Sequence, residues 1–201
     1  MHRIWNHNSH YHDLLLAQIP RTARRILDVG CGYGFLARRM TEEGYRVDAI
    51  DADRTVVEDA QELHIDRPEL QFRCANFLSD GAPNSSYDAL TCVAALHHMP
   101  FAGAIAQMVR CLRPGGTLAV LGLYRVSSPL DYTLSAIAIP SSRILSLFRD
   151  SRGGRSIHEP PLRVPEMTLT EIRDAAEKLL PQVRIRRLLL WRYLLVWQKP
   201  G

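Results

Sequence analysis

Apolar residues along this chain fall into short, near-continuous runs separated by longer stretches with helical spacing. Five runs read as buried strands: Arg25–Val29, Arg46–Asp51, Leu70–Cys74, Ala89–Val93 and Thr117–Leu123. Between them the apolar positions recur every three or four residues. Tyr11–Ile19 reads as a short amphipathic helix stopped by Pro20, and Phe35–Glu43 as a helix ending at Gly44. Asp53 is placed to cap a helix running through His64, because its carboxylate can accept from the first unpaired backbone amides. A further helix spans Ala102–Leu112, after which Pro114-Gly115-Gly116 turns the chain into the fifth strand. Thr168-Leu-Thr-Glu171 is a capping-box signature for a helix to Leu180, and Val183–Leu189 with Trp191–Gln198 reads as a closing hairpin.

Strands alternating with helices imply an α/β domain, a parallel sheet wound doubly with helices on both faces. The exception to the alternation is residues 124–165, rich in Ser, Pro, Arg and Gly. Its first half still carries Leu130, Leu134, Ile137, Ile139, Ile144, Leu145, Leu147 and Phe148, enough apolar surface to predict packed helix over 130–148. Residues 150–155 are Gly- and Arg-rich. Such long insertions are uncommon in compact domains unless they are functional.

With 201 residues, 46% hydrophobic and 23% charged, the chain suits one domain with one core. No apolar stretch reaches the roughly 20 residues a bilayer crossing needs, and nothing at the start reads as a signal peptide. Cys31, Cys74, Cys92 and Cys111 form no CxxC pair and each lies in an apolar run, the pattern of reduced thiols in a cytoplasmic protein. The net charge of +4 admits anionic partners. Its Arg residues are scattered, however, with no aromatic-interleaved basic patch, so no nucleic-acid partner is expected.

The most informative segment is Ile26-Leu-Asp28-Val-Gly30-Cys31-Gly32-Tyr-Gly34-Phe35, which follows a strand and opens a helix. Glycines there permit positive φ and close approach of backbone to a ligand, and the helix start adds amides and a positive dipole end. The spacing is G-x-G-x-G, whereas the dinucleotide fingerprint is G-x-G-x-x-G; Phe35 stands where that third Gly would be. Asp51 ends the second strand, where a carboxylate can accept from both hydroxyls of a ribose.

These residues resemble the class I S-adenosylmethionine-dependent methyltransferases. Asp28-x-Gly30-x-Gly32-x-Gly34 is similar to the family's first motif, Asp51 to its ribose-binding acid, and Ala75-Asn76-Phe77 to its adenine-binding pair, with Asn76 where Asp is usual. Ala95-Leu-His97-His98-Met99 and Leu112-Arg-Pro-Gly-Gly116 also match, so the resemblance covers about residues 24–123. It implies a mostly parallel, seven-stranded Rossmann-like sheet with an antiparallel last strand, supplied by the closing hairpin. It implies S-adenosylmethionine as cofactor, held by Asp28, Gly30, Cys31, Gly32, Gly34, Asp51, Ala52, Asn76, Phe77 and Ala94. Phe77 is equally readable as a core aromatic.

The expected activity is transfer of a methyl group to O, N or C of a small-molecule acceptor. Alignment supplies most of the rate, and a base is needed only if the acceptor must lose a proton. His97 and His98, just past the fourth strand, are the candidate catalytic residues; a loop-fixing hydrogen bond is the alternative role for each. As neighbours they are expected to point in opposite directions. Acidic metal ligands found in this loop of some relatives are replaced by Ala94 and His97, so no metal is predicted. His7, His10 and His12 have spacing a metal would tolerate but no Cys or clustered acid beside them. His158-Glu159 is a weaker acid–base pair.

The chain then divides into an N-terminal lid (1–20), a cofactor core (24–123), a substrate cap (124–165) and a closing helix and hairpin (166–201). Tyr11 and Tyr124 are expected to line the acceptor pocket beneath the cap. Three rivals stand beside this reading. One methylates nucleic acid or protein; the family members that methylate exocyclic DNA amines carry Asn/Asp-Pro-Pro-Tyr/Phe where Leu96-His97-His98-Met99 stands. An NAD-dependent oxidoreductase is opposed by Phe35 and by the lack of a Tyr-x-x-x-Lys pair. A non-catalytic cofactor-binding protein is the third. The oligomeric state cannot be read from the sequence.

Overall fold

The computed structural model describes residues 11–127 and 164–201. The predicted cap over 130–148, the segment 150–155, and His7, His10, His158 and Glu159 lie outside the described residues. The rest runs α1 (His12–Leu16), β1 (Arg25–Val29), α2 (Phe35–Glu42), β2 (Arg46–Asp51), α3 (Arg54–Leu63), β3 (Leu70–Cys74) and β4 (Tyr87–Val93). A 3-10 turn (Leu96–His98), α4 (Phe101–Cys111), β5 (Leu112–Leu123), α5 (Leu169–Leu179), β6 (Arg184–Arg187) and β7 (Arg192–Gln198) follow.

The seven strands form one sheet in the order β3-β2-β1-β4-β5-β7-β6. β1 to β5 pair in parallel, and β7 slots antiparallel between β5 and β6, as the hairpin predicts. The order reverses beside β1, which leaves a crevice at the carboxyl ends of β1 and β4, where doubly wound sheets bind ligands.

Strands β1, β2, β4, β5 and β7 alternate their side chains between two buried layers. Ile26, Val47, Ala49, Ala119, Leu121 and Leu194 face α1 and α2, packing with Leu15, Leu36, Ala37 and Met40. Leu27, Val29, Ile50, Leu90, Val120 and Leu195 face α4 and α5, packing with Ile105, Met108, Ile172 and Ala176. Burial on both faces is why the strands read as continuous apolar runs.

The largest departures from the expected strand starts are in β4 and β5; β6 and β7 each begin one residue later than expected. β4 begins at Tyr87, two residues early, because Tyr87 is buried and its hydroxyl donates to Asp48 Oδ2 at 2.7 Å. β5 begins at Leu112, so the expected Pro114-Gly115-Gly116 turn lies within the strand as an irregularity: Tyr87 pairs with Leu112, then Ala89 with Thr117. The caps match expectation. Asp53 accepts from the Thr55 and Val56 amides, and Thr168 and Glu171 form the reciprocal capping box of α5. Among the described residues no helix is long and apolar enough to cross a membrane.

Candidate active site

β1 delivers the chain into the glycine segment at the carboxyl edge of the sheet. Gly30, Gly32 and Gly34 all have positive φ, +68°, +53° and +72°. The three positions differ in what surrounds them. A Cβ on Gly30 would lie 2.2 Å from the Cβ of Ala95, in the loop after β4. One on Gly34 would lie 2.4 Å from Phe72 Cζ on β3. One on Gly32 would meet no protein atom within 4 Å, so Gly32 faces open space.

The amides of this loop are committed internally. Gly30 N and Cys31 N both donate to Ile50 O, at 2.8 and 3.1 Å, and Gly34 N donates to Cys31 O at 3.0 Å. Gly32 N donates to Asp51 Oδ2 at 2.8 Å. These four hydrogen bonds hold the shape of the loop. Asp51 therefore joins the end of β2 to the glycine loop, while its Oδ1 accepts from Asp53 N at 3.1 Å. Asp53 itself is engaged as the α3 cap.

Beneath the loop, Asp28 is 2% exposed and Thr91, its cross-strand partner on β4, donates to Oδ1 at 2.7 Å. Burial raises its pKa to about 7, against the Thr91 hydrogen bond and with help from the Asp51 charge. Burial, reinforced by Asp28 and Asp51, likewise pushes the Cys31 thiol up, so it stays protonated. Ala52 is exposed beside Asp51, and its carbonyl lies 3.7 Å from Cys74 Sγ.

After β3, Asn76 is exposed and its Oδ1 accepts from Leu78 N at 3.0 Å, a local turn. Phe77 is 4% exposed and belongs to the core layer under α4, so the core reading of Phe77 describes its place.

The β4 loop starts at Ala94, held at φ +49° with its amide donating to Leu121 O at 2.8 Å. The 3-10 turn then brings the rings of His97 and His98 together, tilted, with centroids 4.1 Å apart and 39° between planes. The tight turn brings the two imidazoles close, with His97 half-buried and His98 exposed.

Tyr11 packs in the layer of α1 and α2, and Tyr124 in the opposite layer, 8% and 3% exposed. Both are large apolar rings drawn into the core. What they share is the β6–β7 hairpin tip: Tyr11 Oη donates to Leu189 O at 3.1 Å and Tyr124 N to Trp191 O at 3.1 Å. The Arg187 guanidinium lies 5.7 Å from the Tyr124 ring centroid. His12 is buried in α1, and burial, with the nearby Arg39 charge, lowers its pKa to about 4. Among the described residues no three His, Cys, Asp or Glu side chains gather as a metal site.

A groove of 680 Å³ lies elsewhere, lined by Arg25, Asp48, Gln71, Arg73 and Tyr87. It opens near the amino ends of β1 and β4, where the β3–β4 connection carries no helix to cover the sheet. Arg25 begins β1 and Val29 ends it, so the length of that strand separates the groove from the glycine loop.

The geometry fits S-adenosylmethionine: open space over Gly32, a carboxylate ending β2, and the β4 loop against Gly30. Known proteins agree. The methyltransferase-domain family matches residues 27–120. An uncharacterized methyltransferase of Mycobacterium tuberculosis is 34% identical over 204 residues, covering all of both chains. A ubiquinone biosynthesis O-methyltransferase of Paracidovorax citrulli is 36% identical over 102 residues, 48% of this chain and 42% of that one. The solved structure of a Burkholderia thailandensis 1,6-didemethyltoxoflavin-N1-methyltransferase, with 1,6-didemethyltoxoflavin and S-adenosylhomocysteine bound, superposes with a TM-score of 0.65. It is 18% identical and the match covers 94% of this chain and 76% of that one. This chain belongs to the class I S-adenosylmethionine-dependent methyltransferases, and S-adenosylmethionine is its cofactor.

Residues the sequence did not mark also shape the site. Thr91, Ala95, Phe72 and His64 each act through contacts between strands or loops far apart in sequence. Of these, only Ala95 lies within a segment read as part of the site; Phe72, Thr91 and His64 lie in segments read only as strand or helix.

Proposed function

We propose that the protein transfers the methyl group of S-adenosylmethionine to O, N or C of a small metabolite. The carrying observation is the pair of contacts that closes the site: Asp51 Oδ2 to Gly32 N, and Gly30 against Ala95. Together they gather a carboxylate, a glycine loop and the histidine-bearing β4 loop around one crevice. In this reading Asp51 receives the ribose hydroxyls, and Gly32 leaves room for the cofactor. Gly30, Cys31, Gly34 and Asp28 keep the loop in shape. Ala52 and Asn76 lie on the adenosine side, with Phe77 supporting from the core, and Ala94 turns the β4 loop toward the crevice.

When bound, S-adenosylmethionine supplies an electrophilic methyl group on a sulfonium. The work left to the chain is to align the acceptor and, for a hydroxyl or ammonium acceptor, to remove a proton. His97 or His98 is the base in this reading, because the paired imidazoles are the proton-accepting side chains of the β4 loop. Tyr11 and Tyr124 bear on the acceptor through the hairpin tip they hold.

Support for a small acceptor comes from the β4 loop, which lacks the Pro-Pro-Tyr/Phe run of exocyclic-amine methyltransferases, and from the ubiquinone-pathway relative. The test is S-adenosylhomocysteine formation by the purified protein with a panel of phenols, amines and carboxylic acids, run beside total tRNA and a peptide pool. Turnover confined to small acceptors supports the proposal. Turnover confined to tRNA or peptide overturns it.

A further inference from the structure

The glycine loop rests on an aromatic platform that has no counterpart in the sequence motifs. His64, the residue just after α3, is 3% exposed. Its ring stacks on Phe72 of β3, centroids 5.8 Å apart and 15° between planes, and meets Phe35 of α2 edge-on at 6.2 Å. Its Nε2 lies 2.9 Å from Tyr33 O, the carbonyl between Gly32 and Gly34. Gly34 sits directly on this platform: a Cβ there would overlap Phe72 and lie 3.3 Å from His64 Cδ2.

We infer that His64 is a positioning residue for the cofactor loop, its Nε2–H clamping the Tyr33 carbonyl so that the Cys31–Gly34 turn keeps its binding shape. The inference rests on the reading that this loop receives S-adenosylmethionine. A trans peptide is planar, so the carbonyl of Tyr33 and the amide of Gly34 point opposite ways. Holding the carbonyl down on His64 aims the Gly34 amide up at Cys31 O, the 3.0 Å bond that closes the turn.

The choice of residue type supports this. Nδ1 of His64 is buried with no hydrogen-bond partner among the described residues, an arrangement with a free-energy cost. A phenyl ring would stack equally on Phe72 and Phe35 without that cost. What imidazole adds is the Nε2–H donor. Burial lowers the His64 pKa; the Tyr33 carbonyl opposes this, and Arg38 of α2 lowers it further. In the turn after α3 Asp66 raises it and Arg67 lowers it, and β3 presents only the uncharged Phe72. The ring is therefore neutral near pH 7, with its one proton on the nitrogen that faces a carbonyl.

The test measures S-adenosylhomocysteine affinity by calorimetry and melting temperature without ligand, for wild type, His64→Phe, His64→Gln and Gly32→Ala. His64→Phe keeps the stack and loses the donor, and affinity should fall about tenfold, the equivalent of about 1.4 kcal/mol. His64→Gln loses the ring but keeps an amide N–H, and should recover affinity to within about threefold of wild type despite a lower melting temperature. Nitrogen-resolved NMR of the wild-type imidazole should show the neutral form protonated at Nε2. His64→Phe with wild-type affinity, or an Nδ1–H tautomer, overturns the role of His64 while Gly32→Ala still weakens binding. If Gly32→Ala also binds as wild type, the reading of the loop itself falls.

Discussion

Gly30 and Ala95 touch so closely that no side chain fits between them: a Cβ added to Gly30 would sit 2.2 Å from that of Ala95. The contact locks the glycine loop after β1 to the loop after β4, which brings the proposed cofactor cradle beside His97 and His98. Gly30→Ala meets two penalties, a left-handed backbone at φ +68° and overlap with a backbone-anchored methyl. We expect a loss of about 2–4 kcal/mol in stability, summed from strain and overpacking. Gly32→Ala carries only the strain, so chemical denaturation should show a loss nearer about 1 kcal/mol. Its larger effect should appear as weaker cofactor binding. Equal stability losses for the two variants would contradict the packing argument.

Asp28 makes stability fall with pH in an unusual direction. Its folded pKa, about 7, lies above its unfolded value of 3.8. Its contribution is therefore fully present below the unfolded value and is lost as pH rises through about 7. Asp28→Asn removes the ionisation while keeping an oxygen for Thr91. Relative to wild type, the variant should gain about 2 kcal/mol between about pH 5.5 and pH 8, measured by urea denaturation. A gap that does not change with pH would show that Asp28 is ionised in the fold.

Much of this scaffold is legible in the sequence. Asp53 and the Thr168–Glu171 pair announce their helices because capping depends on residues two or three apart. The parallel strands announce themselves through continuous apolar runs. The missed features are contacts between distant segments. Nothing local to His64 says that Phe72 lies beneath it, and nothing local to Tyr11 or Tyr124 says that they occupy opposite faces of the sheet. The close approach of His97 and His98 follows from a 3-10 turn, a geometry that the pattern of apolar residues does not encode. Glycine spacing points to the site, but the use of its amides to hold the loop together is visible only in the fold.

His97→Ala and His98→Ala separate chemistry from binding. If one of the two takes the acceptor proton, its loss should lower turnover by about 100-fold or more, the usual worth of a positioned base. S-adenosylhomocysteine affinity should change by less than about threefold, since neither ring is assigned to the adenosine. Single-turnover rates on an identified acceptor provide the check. Wild-type rates in both variants would place the base elsewhere.

The β4 loop offers Ala94 and His97 in place of acidic ligands, so turnover should survive EDTA unchanged. Activity that disappears with EDTA and returns with magnesium would overturn the metal-free reading.

The central claim is that Asp51 and the glycine loop form the S-adenosylmethionine site. Titration calorimetry of wild type and Asp51→Ala with S-adenosylmethionine, S-adenosylhomocysteine and NAD tests it most directly. Wild type should bind the first two and not NAD, and Asp51→Ala should lose about 1.5–3 kcal/mol of affinity, the worth of a charged hydrogen bond. Unchanged affinity in Asp51→Ala, or tighter binding of NAD than of S-adenosylmethionine, would contradict it.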